Sequence, residues 1–146
     1  MDQALRQYLF DQGIDYPFST PLSPSGRADV VAGLQAPEPI IIEVKIFDPD
    51  GGRDGSYIRR GFRQIYDYLS DYNKTVGYLV IFSVSGRSLQ FKLTSSEYPQ
   101  RIEFNNRVIY LVVIDIFPHE EPASKRGPLE PYVIEENYLT ASSNNS

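Results

Sequence analysis

The sequence predicts a mixed α/β domain of the α+β type, with a central mixed β-sheet flanked by helices. Three apolar runs of strand length, rich in β-forming residues, cover residues 39–47, 76–84 and 107–117. Between the first two runs, residues 56–72 repeat apolar side chains with the spacing of a core-facing helix. A strand as apolar as 39–47 belongs in the middle of a sheet that is covered on both faces.

The elements are predicted in the order α-β-β-β-α-β. The first helix covers residues 2–11, where apolar side chains recur at helical spacing. A hairpin follows, with a strand at 27–32 and a turn near Ala36 that leads into the strand at 39–47. Ser56 is the predicted N-cap of the second helix. The remaining predictions are strands at 76–84, 89–93 and 107–117, a loop or broken strand at 99–106, and a short helix or strand around 132–138.

Composition indicates a single globular domain of 146 residues with 41% hydrophobic content. Cysteine is absent, which excludes disulfide scaffolds, thiolate zinc sites and cysteine nucleophiles. Because we find neither a long apolar span nor a signal-peptide pattern, we expect a cytoplasmic protein with no membrane association. We assign residues 1–118 to the domain and 119–146 to an acidic, proline-containing tail that is partly disordered.

Net charge is −5, which argues against a general DNA-coating protein, for which a basic domain is expected. The tail at 119–146 has five acids against two bases and therefore contributes −3 of this total. Four arginines lie close together just after the strand at 39–47: Arg53, Arg59, Arg60 and Arg63. The distribution of charge is thus more informative than the sum.

The strand at 39–47 carries charges where a buried strand normally has none. Side chains alternate between the two faces of a strand, so one face carries only branched apolar residues. The opposite face carries Glu43 and Lys45, flanked by Ile41 and Phe47. Removing such charges from water costs several kcal/mol each, even after relaxation. The pair therefore indicates a role beyond the fold.

Asp29 adds a third charge to this part of the sheet. With the hairpin turn centred near Ala36, Asp29 falls opposite Glu43. The two Cβ atoms would be roughly 4.5–5.5 Å apart, where two carboxylates repel by about 3 kcal/mol at an effective dielectric near 20. A divalent cation would remove this repulsion, because Asp and Glu oxygens are usual Mg²⁺ ligands. These residues therefore predict a Mg²⁺ (or Mn²⁺) site with Lys45 beside it.

In chain order, these residues resemble the PD-(D/E)XK nuclease superfamily. The segment from Gly26 to Asp29 resembles its G-x-x-D form, and Glu43 and Lys45 resemble its E-x-K motif on the next strand. On the second helix, Gln64 and Tyr68 are i, i+4 neighbours. They resemble the Q-x-x-x-Y motif of the superfamily's helicase-associated exonuclease branch. The resemblance covers roughly residues 2–117 and implies a restriction-endonuclease-like core.

The resemblance implies a metal-dependent nuclease that hydrolyses phosphodiester bonds. DNA is favoured over RNA as its substrate, in a phage-defence, restriction or repair context. Asp29 and Glu43 would hold Mg²⁺ or Mn²⁺, with the Val44 carbonyl as a third ligand, and the ion would lower the pKa of a bound water. The nucleic-acid backbone would be contacted by Arg27, Arg53, Arg60 and Arg63. Such contacts position a duplex without reading its sequence.

Roles for the other three site residues follow from the same resemblance. Lys45 would orient the attacking water or act as its base, and would stabilise the charge that grows on the phosphorus. Gln64 would position Lys45 or the water, and Tyr68 would position the nucleic-acid backbone or a base. A homodimer, or a partner domain in a larger protein, stays open, and a dimer would be needed to cut both strands together.

Three other interpretations remain open on the residues alone. In the first, Glu43 and Lys45 form an ion pair on a solvated face, and Asp29 is a surface residue. In the second, the fold is that of a nuclease without activity, which binds nucleic acid or protein within a larger assembly. In the third, the acidic tail binds a protein partner. A carboxylate-dependent affinity for Mn²⁺ would separate an enzyme from a binding module.

Overall fold

The computed structural model describes residues 40–141 in full and, before them, the backbone of four short strands. The described elements are β1 (Phe18–Ser19), β2 (Leu22–Ser23), β3 (Gly26–Arg27), β4 (Val30–Ala32), β5 (Ile40–Phe47), a 3₁₀ turn (Pro49–Gly51), α1 (Gly55–Asp71), β6 (Val76–Ser83), β7 (Ser88–Lys92), β8 (Arg101–Phe104), β9 (Arg107–Asp115), β10 (Pro131–Glu135) and α2 (Glu136–Thr140). The predicted helix at 2–11 lies outside the described residues.

One mixed sheet of six strands organises the molecule, in the order β1-β4-β5-β6-β9-β8. Strands β5, β6 and β9 are parallel, with Val44 opposite Val80 and Val80 opposite Val112. The flanking pairs, β4 with β5 and β8 with β9, are antiparallel. Helix α1 is the crossover that parallel neighbours require between β5 and β6. The prediction of a mixed sheet flanked by helices is confirmed, while its identity as a restriction-endonuclease-like core stays a prediction.

The N-terminal hairpin pairs in the register that the sequence predicts. β4 and β5 are antiparallel, with Val30 opposite Ile42, and this is the register of a turn centred near Ala36. The structure divides the predicted strand at 27–32 between β3, which pairs with β2, and β4, which pairs with β5. Asp29 lies between these two strands in sequence and outside the described residues.

Helix α1 begins at a different cap from the predicted one. The N-cap is Asp54, whose Oδ1 accepts hydrogen bonds from the Ser56 N–H at 3.0 Å and the Ser56 hydroxyl at 2.6 Å. The prediction of Ser56 as the cap is wrong, because a carboxylate two residues earlier supplies the acceptor. These hydrogen bonds, led by the Ser56 hydroxyl, hold the pKa of Asp54 below its ordinary value. After Tyr72, Asn73 ends the helix in the left-handed region, at φ 55°.

The main core lies between α1 and one face of the sheet. The predicted apolar stripe of the helix is confirmed, because four of its residues are at most 1% exposed: Ile58, Phe62, Ile65 and Leu69. The sheet presents fully buried partners from its three parallel strands: Ile41, Phe47, Leu79, Ile81 and Ile109. Burying one such side chain contributes about 1.5–3 kcal/mol. This packing fixes the helix over β5 and thereby sets the geometry of the site described below.

Part of the predicted tail is folded against this core. β10 pairs in parallel with β7, and α2 packs on α1. Ile134 and Leu139 are 3% and 0% exposed and belong to the main core. Both residues lie in the region 119–146, whose five acids give it the composition of a solvated tail. Residues 131–141 are therefore integrated with the domain, as both a strand and a helix.

The hairpin of β8 and β9 settles the stretch at 99–106, which the sequence leaves open between a loop and a broken strand. β8 pairs antiparallel with β9, from Arg101 opposite Tyr110 to Phe104 opposite Arg107. The two intervening asparagines have φ values of 49° and 63°. Positive φ at both central residues is the signature of a type I′ turn, which asparagine tolerates.

Candidate active site

Strand β5 carries two charged residues on the face that α1 covers. Ile41 and Phe47 share this face and are 0% exposed in the main core. Val44 points the other way, into a smaller apolar cluster on the far face of the sheet. Glu43 therefore lies on the covered face and is only 3% exposed, and Lys45 follows it there. The alternation predicted for this strand is confirmed.

Glu43 and Lys45 form a largely buried ion pair. Lys45 Nζ lies 3.2 Å from Glu43 Oε1, and the two side chains are 12% and 3% exposed. The interpretation of this pair as one on a solvated face is therefore wrong. The surface pair Lys92–Glu135 provides a contrast, with 3.9 Å between the charged atoms and exposed fractions of 76% and 63%. Desolvating two ions costs several kcal/mol each, so the buried pair is weak evidence for a purely stabilising role.

Helix α1 provides a slot for the side chain of Lys45. A Cβ atom at Gly61 would lie 2.7 Å from Lys45 Cγ and 3.1 Å from Lys45 Cε. Glycine is therefore the residue that lets the aliphatic stem lie across the helix at this point. One turn earlier, the centroid of the Tyr57 ring lies 5.0 Å from Lys45 Nζ, which is a cation–π distance. The helix thus contacts the stem and the charged end of the same lysine.

Gln64 lies on the same stripe of α1 as this slot. Tyr57, Gly61, Gln64 and Tyr68 are separated by four, three and four residues and share one helix face. Because α1 runs antiparallel to β5 as a crossover helix, Gln64 follows Gly61 in the direction of Glu43. Gln64 Oε1 is buried and makes no hydrogen bond within the described part of the chain. A buried acceptor without a partner costs about 1–3 kcal/mol, so this oxygen is available to a ligand.

Tyr68 continues the stripe, but it is more buried than is usual for a residue that contacts a substrate. Its side chain is 4% exposed and belongs to the main core. The structure therefore brings four of the predicted site residues to one interface between β5 and α1: Glu43, Lys45, Gln64 and Tyr68. Val44 contributes its backbone to the same strand.

The predicted arginines differ in exposure. Arg53 and Arg60 are exposed near the N-terminal half of α1. Arg53 Cζ lies 5.9 Å from the centroid of the Tyr57 ring, so this tyrosine contacts both a surface arginine and the site lysine. Arg63 is half-buried, and its Nε and Nη2 make no hydrogen bond to any described residue. Arg27 is described by its backbone alone, in β3.

The predicted metal site rests in part on residues that the structure does not describe. Asp29 lies outside the described residues, and the described ones contain no group of three or more His, Cys, Asp or Glu side chains that could hold a metal ion. Besides the Val44 carbonyl, the structure describes two side-chain oxygen donors at the site, the Glu43 carboxylate and the Gln64 amide. Both are of the hard type that Mg²⁺ and Mn²⁺ take. A set completed by Asp29 stays a prediction.

Two residues that line the site are not among those predicted from the sequence. Tyr57 and Gly61 contact Lys45 directly, yet neither belongs to the motifs that carry the resemblance. A signal was present, because both precede Gln64 on the same helical stripe, at seven and three residues. A glycine inside an otherwise strongly periodic helix also calls for a packing explanation.

The end of β9 carries a second acid–base pair. Asp115 is the last residue of β9. The His119 side chain is 15% exposed, and its Nε2 lies 2.8 Å from Asp115 Oδ2. Burial alone would raise the pKa of Asp115. Hydrogen bonds from His119 and the Phe117 N–H outweigh burial and lower this pKa, and the charges of His119 and Arg126 add to the effect.

A cleft of about 450 Å³ lies at the N-terminus of α1, away from the ion pair on β5. Its walls include Asp54, Arg87 and Tyr132. The first amides of the helix are already satisfied, because the Tyr132 hydroxyl accepts from Gly55 N–H at 2.9 Å and Asp54 accepts from Ser56. These two helix amides are therefore not free to bind an anion in the cleft.

None of the helices in the described ranges is long and apolar enough to span a membrane. Comparison of the chain with protein-family models, with curated proteins and with solved structures finds no match.

Proposed function

We propose that this protein is a metal-dependent nuclease that hydrolyses phosphodiester bonds, with DNA as the favoured substrate. The observation that carries the proposal is the buried ion pair of Glu43 and Lys45, 3.2 Å apart beneath α1. Such a pair contributes little net stability and is costly to desolvate. Strongly desolvated charges with a specific partner are typical of functional sites.

Oxygen donors at this interface suit Mg²⁺ or Mn²⁺. Glu43 would hold the ion together with Asp29 and the Val44 carbonyl, and the amide oxygen of Gln64 is a further donor, directly or through water. When bound, the ion would polarise the scissile phosphate and lower the pKa of a water ligand. Lys45 would then orient the attacking water and stabilise the negative charge that develops on the phosphate oxygens.

Contacts with the substrate backbone are assigned to the exposed arginines. Arg53 lies just before α1, and Arg60 lies in its N-terminal half, next to Gly61 in sequence. Arg63 Nε and Nη2 donate no hydrogen bond to any described residue. Guanidinium groups bind phosphate in a forked geometry. These contacts would bind the nucleic-acid backbone without selecting a base sequence.

A cleavage panel tests the proposal. Linear and circular duplex DNA, single-stranded DNA and RNA are incubated with the protein in Mg²⁺, in Mn²⁺ and in a chelator. We expect hydrolysis of DNA only when a metal is present. Lys45→Met keeps the aliphatic stem and removes the charge, and should lower the rate about 100-fold or more while Mn²⁺ binding, measured by calorimetry, is retained. Glu43→Gln should lose both cleavage and Mn²⁺ affinity.

Lys92→Met is the matched control, because Lys92 pairs with a glutamate at the surface. It should leave cleavage and Mn²⁺ binding unchanged. Equal cleavage with and without metal would contradict the mechanism. A protein that cleaves nothing and whose Mn²⁺ affinity does not depend on Glu43 or Asp29 would instead be a binding module with a nuclease-like fold.

A further inference from the structure

We infer that Tyr57 is a positioning residue for Lys45, holding its ammonium group beside Glu43 through a cation–π contact; this inference rests on the proposed nuclease function. The ring centroid lies 5.0 Å from Lys45 Nζ, and Glu43 Oε1 lies 3.2 Å from the same nitrogen. The aliphatic stem is confined by Gly61. Stem, ring and carboxylate together leave the lysine few alternative rotamers.

This restriction matters because lysine is among the most flexible side chains. An unrestrained lysine loses up to about 2 kcal/mol of rotamer entropy when it is fixed. A group that acts on a reacting phosphate must be held within about 0.5 Å of its productive position by its surroundings. The charge of Glu43 alone attracts the ammonium without directing it, since an ammonium is a compact charge with freely turning donors. The aromatic face supplies the second constraint.

The Tyr57 contact also differs from the other cation–π contacts in the described part of the chain, all of which use arginine. Tyr57 is half-buried, and the exposed guanidinium of Arg53 also lies 5.9 Å from its ring centroid, so both neighbouring cations lie against the ring. We therefore assign the aromatic ring, and not the phenolic hydroxyl, as the group that acts on Lys45. Substitutions can separate these two parts of the side chain.

Tyr57→Phe retains the ring and Tyr57→Leu removes it. The first readout is an NMR spectrum of the lysine side chains, in which an aromatic face shifts nearby Cε protons upfield. We expect the Lys45 signal to be shifted in the wild type and in Tyr57→Phe, and to move to the ordinary lysine position in Tyr57→Leu. The control is Tyr138→Leu, because Tyr138 stacks with Arg59 and its loss should leave the Lys45 signal unchanged.

The second readout is cleavage. Tyr57→Leu should lower kcat about tenfold, the effect of losing one partly desolvated cation–π contact, with KM and Mn²⁺ affinity within about twofold of wild type. Tyr57→Phe should keep the wild-type kcat. A role for the hydroxyl, structural or otherwise, would instead lower kcat in this variant. Thermal unfolding of each variant confirms that the fold is intact.

The two readouts fail independently. An unshifted Lys45 signal in the wild type, or a shift that survives in Tyr57→Leu, overturns the inference even if the protein is a nuclease. A wild-type kcat in Tyr57→Leu overturns it as well. If the wild type cleaves no substrate, the proposed function fails, and the NMR signal alone decides whether Tyr57 positions the lysine.

Discussion

Two acid–base pairs in this molecule have similar chemistry and opposite surroundings. Glu43 and Lys45 are 3% and 12% exposed, in the interface between β5 and α1. Asp115 and His119 lie at the end of β9, where the aspartate is 41% and the histidine 15% exposed. The distances between the paired atoms are 3.2 Å and 2.8 Å. Distance therefore does not distinguish the pairs, and the burial of the two carboxylates does.

The strand-end pair has a local explanation. Asp115 also accepts a hydrogen bond from the Phe117 N–H at 2.9 Å, so its carboxylate closes the turn that follows the strand. The carboxylate is still 41% exposed, and its hydrogen bonds and neighbouring charges together outweigh the desolvation that remains. The pair on β5 has no turn to close, and its charges have left the solvent. This difference is why we assign a function to the buried pair only.

The largest effect should come from breaking the buried pair. Glu43→Ala leaves the Lys45 ammonium in a mostly dry site, and we expect it to lower the free energy of unfolding by about 3 kcal/mol. The double variant Glu43→Leu with Lys45→Met replaces both charges with apolar groups and should recover most of this loss. Urea unfolding at pH 7 measures both.

His119→Ala is the comparison for that experiment, since it breaks the strand-end pair. Its cost should be about 1 kcal/mol or less, because the Asp115 carboxylate that is left behind is 41% exposed and can be solvated. Equal costs for the two single variants would show that burial does not separate the pairs. A double variant as unstable as Glu43→Ala would mean that the buried pair contributes to stability in its own right.

The slot for Lys45 should be sensitive to a single methyl group. Gly61→Ala places a Cβ 2.7 Å from Lys45 Cγ and 3.2 Å from Leu79 Cδ1. We expect a loss of about 1–2 kcal/mol, because overpacking exceeds the gain of roughly 1 kcal/mol in helix propensity.

A double-mutant cycle identifies the source of that loss. In a Lys45→Ala background the atom that the new methyl group meets most closely is gone, so Gly61→Ala should become nearly neutral or stabilising. The coupling energy between the two positions then measures the contact directly. Additive effects would show that the cost comes from another contact, such as Leu79 Cδ1, and not from the lysine.

The pair of Asp115 and His119 should account for a modest part of the pH dependence of the free energy of unfolding. The lowered pKa of Asp115 means that its stabilising contribution is present above the unfolded value near 3.9 and is lost as the pH falls through the folded value. Asp115→Asn should therefore cost about 0.5–1 kcal/mol at pH 6 and progressively less below about pH 4. Urea midpoints between pH 3 and pH 7 test this, and a cost that is constant with pH would contradict the assignment.

The apolar pattern was sufficient to predict most of the sheet. Strand β5 and helix α1 match their predicted bounds within one residue, because each buries a continuous face whose period is visible in the sequence. The helix cap was missed since Asp54 and Ser56 are both good caps, and only the backbone conformation decides between them. The sequence predicts a short helix or strand around 132–138, and the structure has both there, β10 followed by α2.

The candidate site could be predicted only as far as its motifs extend. Glu43 and Lys45 were found because charges interrupt an apolar strand. Tyr57 and Gly61 were not, because their importance depends on where a helix lies over that strand. Lys45 and Gly61 lie on different elements and meet only through tertiary packing, which no local sequence pattern encodes.

The smallest expected effect concerns a third pair, which repels. Burial, followed by the neighbouring carboxylate of Asp71, raises the pKa of Asp67, while Arg63 lowers it less. The charged form is thus unfavourable in the folded state, and this penalty is present at neutral pH and relieved as the pH falls through the raised value. Asp67→Asn should therefore stabilise the protein at pH 7 by about 0.2–0.5 kcal/mol, as expected for like charges four residues apart on a helix.

The acidic side of the same experiment provides the check. Below the raised pKa of Asp67 the wild-type carboxyl is itself neutral, so the advantage of Asp67→Asn should disappear. In 1 M salt at pH 7, only the part that comes from Asp71 should shrink, because screening acts on the charge pair and not on burial. If Asp71→Asn gives a similar gain, and the double variant gains less than the sum, the repulsion is shared between the two carboxylates. Asp67→Asn that destabilises at every pH would instead show that the attraction of Arg63 outweighs both.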